Sequence, residues 1–294
     1  MRTGFARTCA GITVGVVVSA LTLTACGGSN DDGRPTVVAS TDVWGDIAAA
    51  VAGPDAAVRS LITDPSADPH SHETSAVESA ALSDADLVVY NGGGYDQFAE
   101  KAVAGTNKRT VDAFSVRADQ SDDNEHVWYD VRTVDVVADR IAAQLAELDP
   151  GKAAAYAERA ATFKARLAAV TDITGKLAAD HPKTPVLQTE PLAHYLVAAA
   201  GAEDLTPHAF QEAIEQETDP APAAVAATQD LLSGKRVRAL IYNVQTEDKI
   251  TKDLRATAQN AGVSIVEVTE TLPDGVDYIQ WQTKNAQALA AALG

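Results

Sequence analysis

The sequence predicts an α/β fold: two lobes with mainly parallel sheets flanked by helices, joined by one long spine helix. Three observations predict it. Short β-branched runs alternate with helix-length amphipathic stretches, the pattern of parallel sheets with right-handed crossovers. The alternation is broken once, at 149–181, by a stretch that contains no strand. Comparable alternating blocks lie on either side, 36–148 before it and 182–294 after it. Within the break, apolar residues recur at Tyr156, Ala160, Phe163, Leu167, Val170, Ile173 and Leu177, steps of three and four that mark one buried helical face. Asp149-Pro150 opens the stretch, because Pro is tolerated in a first helical turn, and His181-Pro182 closes it, because Pro cannot continue the hydrogen-bond ladder. A helix over 156–179 reaches about 36 Å at about 1.5 Å per residue, enough to cross a small protein.

The first block reads as strand 36–40, helix 42–51 and strand 58–62, then a turn-rich loop at 64–74 with two prolines and a helix at 77–82. A buried strand at 86–91 runs into Gly92-Gly93-Gly94, where the chain can turn sharply. A helix at 96–103, a strand at 109–112, an acidic loop at 117–125 and a long amphipathic helix at 134–148 complete the block. The second block reads as strand 186–189, helix 191–200, a segment 207–219 that is mostly loop with a short helix, and helix 222–232. Strand 237–243, helix 247–261, strand 263–268 and helix 278–293 follow. No short fixed period recurs, which argues against a solenoid.

The chain of 294 residues carries a formal charge of −18 and is 46% hydrophobic, so it has the material for real cores and an acidic surface that repels nucleic acid and attracts cations. Solubility alone is the plainer reading of that charge. Cys9 and Cys26 are the only cysteines, which excludes a disulfide framework and a multi-cysteine zinc site. Both fall in a segment built like a targeting signal: Arg2 and Arg7, an apolar run over 11–23, then Leu23-Thr24-Ala25-Cys26. The apolar run is short for a membrane span of about 20 residues. Leu-x-Ala-Cys resembles the lipobox of bacterial lipoproteins, which implies a leader at 1–25 and acylation of Cys26 as the new N-terminus; cleavage without lipidation is the alternative. Residues 26–35 are polar and Gly-rich, as a tether would be.

In open parallel sheets, ligands sit outside the carboxyl ends of the strands. Four candidates fall there. His70 follows the second strand, His126 follows the fourth strand and its acidic loop, Glu190 follows 186–189, and Glu270 follows 263–268. Two imidazoles from the first lobe and two carboxylates from the second form a mixed nitrogen–oxygen set that suits zinc, manganese or iron. Solvated loop side chains are the competing reading for each of them. Of the other histidines, His72 shares a side with His70 in an extended segment, and His194 lies one helical turn from Glu190. His181 and His208 sit beside prolines and read as exposed, and Trp44 and Trp128 read as wall or core. Asp130 is a candidate to orient the His126 ring. Asp119, Asp122, Asp123 and Glu125 read either as a solvated acidic turn or as a cation concentrator.

Ala67 to Glu73 contains Asp68-Pro69-His70, 125–130 reads Glu-His-Val-Trp-Tyr-Asp, and 189–195 reads Thr-Glu-Pro-Leu-Ala-His-Tyr. Together with the strand before the glycine turn, these stretches resemble the metal-binding lipoproteins that serve as substrate-binding subunits of zinc and manganese ABC importers. The resemblance spans nearly the whole mature chain. It implies His70, His126, Glu190 and Glu270 as the metal ligands, with Glu270 where the family usually has Asp and His72 where an aromatic is usual. It implies a monomer held to the outer face of the cytoplasmic membrane through Cys26, passing its ion to an ABC permease. Zn2+ is favoured over Mn2+ by the Irving–Williams order, although carboxylates also suit Mn2+. A metal-dependent hydrolase and a surface adhesin with an incidental metal site are the rival expectations. No His-Glu-x-x-His is present to support the first.

Overall fold

The runs read as strands pair into two four-stranded parallel sheets. The computed structural model describes Met1, Thr3, Gly4 and residues 33–294 except Asp68 and Glu217. Most of the expected leader and tether, including Cys26, lies outside the described residues. β1 (Thr36–Thr41), β2 (Ala57–Ile62), β3 (Leu87–Tyr90) and β4 (Arg109–Asp112) form the first sheet in the order β2-β1-β3-β4. β5 (Pro185–Gln188), β6 (Glu203–Asp204), β7 (Ala239–Asn243) and β8 (Ser264–Val268) form the second in the order β6-β5-β7-β8. In each sheet the winding reverses between the first and third strands, which opens a crevice beyond their carboxyl ends.

The helices are α1 (Asp42–Ala52), α2 (Ala76–Asp84), α3 (Gln97–Val103), α4 (Val131–Leu148), α5 (Ala153–Asp180), α6 (His194–Ala199), α7 (His208–Glu215), α8 (Pro222–Ser233), α9 (Lys249–Ala261) and α10 (Tyr278–Leu293). Several begin on side-chain caps. Ser75 with Glu78, Asp248 with Thr251 and Asp277 with Gln280 close reciprocal boxes on α2, α9 and α10. α4 starts three residues before the expected 134, because the Asp130 carboxylate accepts from the Arg132 N–H at 3.2 Å and caps the helix there. The spine starts as a single 3-10 turn, Pro150–Lys152, before α5 takes over. The 28 residues of α5 span about 42 Å. Its buried face is Tyr156, Ala160, Phe163, Leu167, Val170, Thr174 and Leu177, so Thr174 takes the inward place expected for Ile173, which is half-buried. β6 was not foreseen: two exposed acidic residues carry no hydrophobic signal. The expected helix 191–200 divides into a 3-10 turn, Pro191–Ala193, and α6.

Alternation along the strands assigns each sheet two faces. Val37, Ala39, Leu87 and Val89 of the first sheet, and Val186, Ala239, Ile241 and Val266 of the second, join one continuous core with the α5 stripe. The opposite faces pack on small separate cores: Val38, Val88 and Tyr90 under Leu82 and Ala99, and Leu187, Leu240 and Tyr242 under Phe210, Leu232 and Leu254. Residues Arg34–Gly294 are accordingly one compact unit by contact, although they hold two sheets. α10 strengthens the join. It packs on α5 and α1, the Tyr278 N–H donates to Asp46 at 2.9 Å, and the Tyr278 hydroxyl donates to the Trp128 carbonyl at 2.6 Å. The closing helix of the second block therefore rests on first-block residues.

Candidate metal centre

The first lobe delivers two imidazoles. His126 follows the acidic loop and is buried, with its ring 5.1 Å from that of Trp128. The Asn124 side-chain oxygen receives the His126 N–H at 3.0 Å and lies 3.3 Å from Nδ1. With Nδ1 donating to Asn124, Nε2 presents its lone pair to the cleft. Burial first, then the neighbouring His70 and His194, hold His126 well below the ordinary imidazole range, so it enters as a neutral ligand with no proton to shed. His70, on the loop after β2, packs edge-on against Tyr95 with ring centroids 4.7 Å apart and lies 6.1 Å from His126.

The turn after β3 fixes both. Gly92, Gly93 and Gly94 take φ values of +77°, +69° and +91°, which bring Tyr95 and Asp96 back beneath the sheet end. Asp96 accepts from the backbone N–H groups of Asn91 at 2.6 Å and Gly92 at 2.9 Å. Burial, only partly opposed by such donors, pushes its carboxyl up to about 6. The Asn91 amide donates to the Glu125 carbonyl at 2.8 Å, tying this turn to the loop that carries His126.

The second lobe supplies carboxylates. Glu190 stands in extended conformation right after β5 and receives the Thr246 hydroxyl at 2.7 Å. Glu270 follows β8; one of its oxygens receives the Tyr95 hydroxyl at 3.0 Å and lies 4.0 Å from Nε2 of His70. Asn243, at the end of β7, donates its amide to both, to Glu270 at 2.9 Å and to Glu190. One residue thus spaces two buried carboxylates that would otherwise repel. Gln245 then crosses to the first lobe, donating to the Ala67 carbonyl at 3.1 Å, and its side-chain oxygen receives the Glu270 N–H.

A further convergence was not foreseen. Single ligand atoms of His70, Glu125, His126 and Glu215 lie within 4.8 Å of one another, and Glu215 Oε1 is 3.7 Å from His126 Nε2. Burial, then the charges of Glu125, Glu190 and Glu270, push the Glu215 carboxyl far up. His70, Glu190, Glu215, Gln245 and Thr246 share the walls of a cleft of about 300 Å³, and none of the described residues lining it is Lys or Arg. Carboxylates gathered around two imidazoles, with no Lys or Arg among the described residues of the cleft wall, make a site whose charge protons or a metal ion can balance.

Of the four residues named from the sequence, His70 and His126 fall in this tightest group, while Glu190 and Glu270 stand beside it, linked through Asn243. Glu215 carried no sequence signal, being one acid at the end of a helix read mostly as loop. Glu125 was visible only as part of the acidic loop. Other expectations require correction. Asp130 does not orient His126: its carboxylate serves Arg132 and Thr133 at the start of α4, and Asn124 takes the ring instead. His72 faces Glu78 at 3.3 Å, away from the cleft. His194 binds Asp122 at 2.8 Å, so the acidic loop is pinned to α6 rather than left in solvent. Arg117 holds it from within, donating to the Phe114 carbonyl at 2.7 Å and the Asp122 carbonyl at 2.9 Å. His181 and His208 are exposed, and Trp44 and Trp128 are core.

Known proteins share this architecture. The periplasmic zinc-binding protein TroA of Treponema pallidum superposes with a TM-score of 0.75 at 20% identity, over 89% of this chain and 100% of that one. A Ni2+-bound substrate-binding protein, FpvC of P. aeruginosa, gives 0.72 at 20% identity, over 88% and 97%. In sequence, the metal ABC transporter substrate-binding lipoprotein SloC of Streptococcus mutans is 24% identical over 269 residues, covering 85% of each chain. The manganese-binding lipoprotein MntA of Bacillus subtilis is 25% identical over 274 residues, covering 87% of each. The family model described as ZnuA, zinc-uptake complex component A, periplasmic, matches residues 37–292. With nearly all of its described length accounted for by that match, the chain belongs to the ZnuA family.

Proposed function

We propose that this protein is the extracytoplasmic substrate-binding component of an ABC importer for a divalent transition metal, with zinc as the cargo in preference to manganese. What supports the reading is that His70 stands 4.0 Å from Glu270 and shares a cleft with Glu190, that the His126 ring lies 6.1 Å from the His70 ring, and that none of the described residues lining the cleft is Lys or Arg. Neutral imidazole and carboxylate bind such an ion with little reorganisation, and the Irving–Williams order sets zinc above manganese at an unconstrained site. Cys26 anchors the chain by acylation after removal of 1–25, and 26–35 tethers the monomer to the membrane beside its permease. Membership of a solute-binding family supports binding over catalysis. The test is elemental analysis of protein purified without added metal, then competitive titration with Zn2+ and Mn2+. Co-purified zinc and a Kd tighter than about 1 μM are expected; weaker binding of both ions overturns the reading.

A further inference from the structure

Glu190 and Glu270 are joined near the two imidazoles by further acidic groups. Glu125 comes from the first lobe, directly before His126, and Glu215 from the second, at the end of α7. The two pairs differ in how the protein holds them. Glu190 and Glu270 are buried and take Thr246, Tyr95 and Asn243 as donors. Glu125 and Glu215 are half-buried and hydrogen-bond to one another side chain to side chain, while Oε1 of Glu215 is enclosed and meets no hydrogen-bond partner. An enclosed carboxylate oxygen with no donor is costly, and a cation is the partner that the surrounding atoms suit. His126, itself 1% exposed, aims Nε2 at that oxygen from 3.7 Å.

We infer that Glu125 and Glu215 are an outer carboxylate pair for the cargo ion: it is held first by His70, Glu125, His126 and Glu215, then turns inward onto Glu190 and Glu270 while the imidazoles stay bound. The inference rests on the proposed function. Exchange of one carboxylate for another at shared nitrogens moves the ion inward without baring it to a dry interior, where an uncompensated charge is costly. Release runs the same steps in reverse, so the outer pair also governs delivery.

The test is stopped-flow mixing of metal-free protein with Zn2+, followed by tryptophan fluorescence, since Trp128 lies 5.1 Å from His126. Glu215→Gln and, independently, Glu125→Gln are each expected to slow association about 10-fold. The deficit should be the same at about 0.05 M and about 0.5 M salt, because coordination, unlike long-range attraction, is not screened. Asp219→Asn, which removes an acid from the same cleft wall but outside the group, calibrates the screened effect. Circular dichroism of each metal-free variant checks folding, and if one variant fails to fold the other carries the test from the opposite lobe. Association unchanged in the folded variants, or a deficit that salt erases as it does for Asp219→Asn, overturns the inference. Wild-type protein that fails to bind Zn2+ sinks the proposed function instead.

Discussion

Replacing Glu215 by Gln should make the metal-free protein more stable at alkaline pH, and the structure sets the size. Burial and the charges of Glu125, Glu190 and Glu270 raise this carboxyl, so above its ordinary value of 4.5 the folded chain keeps a proton that the unfolded chain releases. Stability from such a group is complete below the unfolded pKa and is lost as pH rises toward the folded one, by at most about 1.4 kcal/mol per pH unit. Asp42 and Asp96, both pushed up to about 6 by burial, act with the same sign, but their contribution is spent by neutral pH. His126 acts the other way. Its pKa is lowered, so its contribution is present above the ordinary imidazole range and lost only as pH falls through the lowered value. Between about pH 7 and about pH 9 Glu215 therefore dominates, and wild type should lose up to ~2.7 kcal/mol that Glu215→Gln retains. Urea unfolding of chelator-treated protein across that window measures it, and saturating Zn2+ should reduce the wild-type loss, because a dication bound nearby favours the ionised Glu215 carboxylate. Parallel stability curves for the two proteins would refute the reasoning.

Other expectations follow from the same geometry. His126→Ala should lower Zn2+ affinity more than about 100-fold by titration, beyond the 10–100-fold typical of a supporting partner, whereas Asn124→Ala, which frees the ring and removes the bond to the Pro191 carbonyl, should fall within that range. Leu167→Ala, in the middle of the α5 stripe, should cost about 2–5 kcal/mol in urea unfolding and still give a single transition, because both sheets share that core. Gly93→Ala places a Cβ 2.8 Å from the Phe114 ring at φ +69°, and should lower stability by about 1–3 kcal/mol in thermal melts with metal stoichiometry unchanged.

Where the sequence carried a periodic signal the expected elements formed, although Thr174 rather than Ile173 turns inward on α5. The α5 stripe, the glycine turn after β3 and the buried run of β7 are each encoded by local pattern, since one face or both faces of the element meet a core. β6 escaped because two exposed acids have no face to bury. The candidate site was legible to the extent that strand ends were: His70, His126, Glu190 and Glu270 all follow strands, and a rule about carboxyl ends finds such residues. Glu215 is placed by the last turn of α7, after the strand that had no signal, so its approach to His126 is a product of tertiary packing alone. Asn243 was hidden for a different reason. It ends a strand whose apolar character explains its burial, and nothing local distinguishes a terminal Asn that spaces two carboxylates from one that satisfies its own turn.

The shared core bears on how an ion gets in. A hinge that opened the sheets from one another would tear the α5 stripe away from the inner strands of one lobe, exposing Leu167, Val170 and their neighbours at about 25 cal/mol per Å². The contacts across the cleft are of another kind. Tyr95 to Glu270, Gln245 to Ala67, Asn124 to the Pro191 carbonyl at 2.9 Å, Tyr195 to the Asn124 carbonyl at 2.8 Å and His194 to Asp122 are single hydrogen bonds that water can replace, each worth about 1 kcal/mol net when neutral. Every one of them ends on a loop or on the first turn of a short helix. Opening is therefore cheapest as a shift of the loops after β2 and β4 and of the region around α6 and α7, over a spine that stays fixed. Those segments carry His70, Glu125, His126 and Glu215, whereas Glu190 and Glu270 are held at strand ends by Asn243. On the inferred order of binding, the outer carboxylates sit on segments free to move, the imidazoles carry the ion across, and the inner pair that receives it belongs to the rigid part.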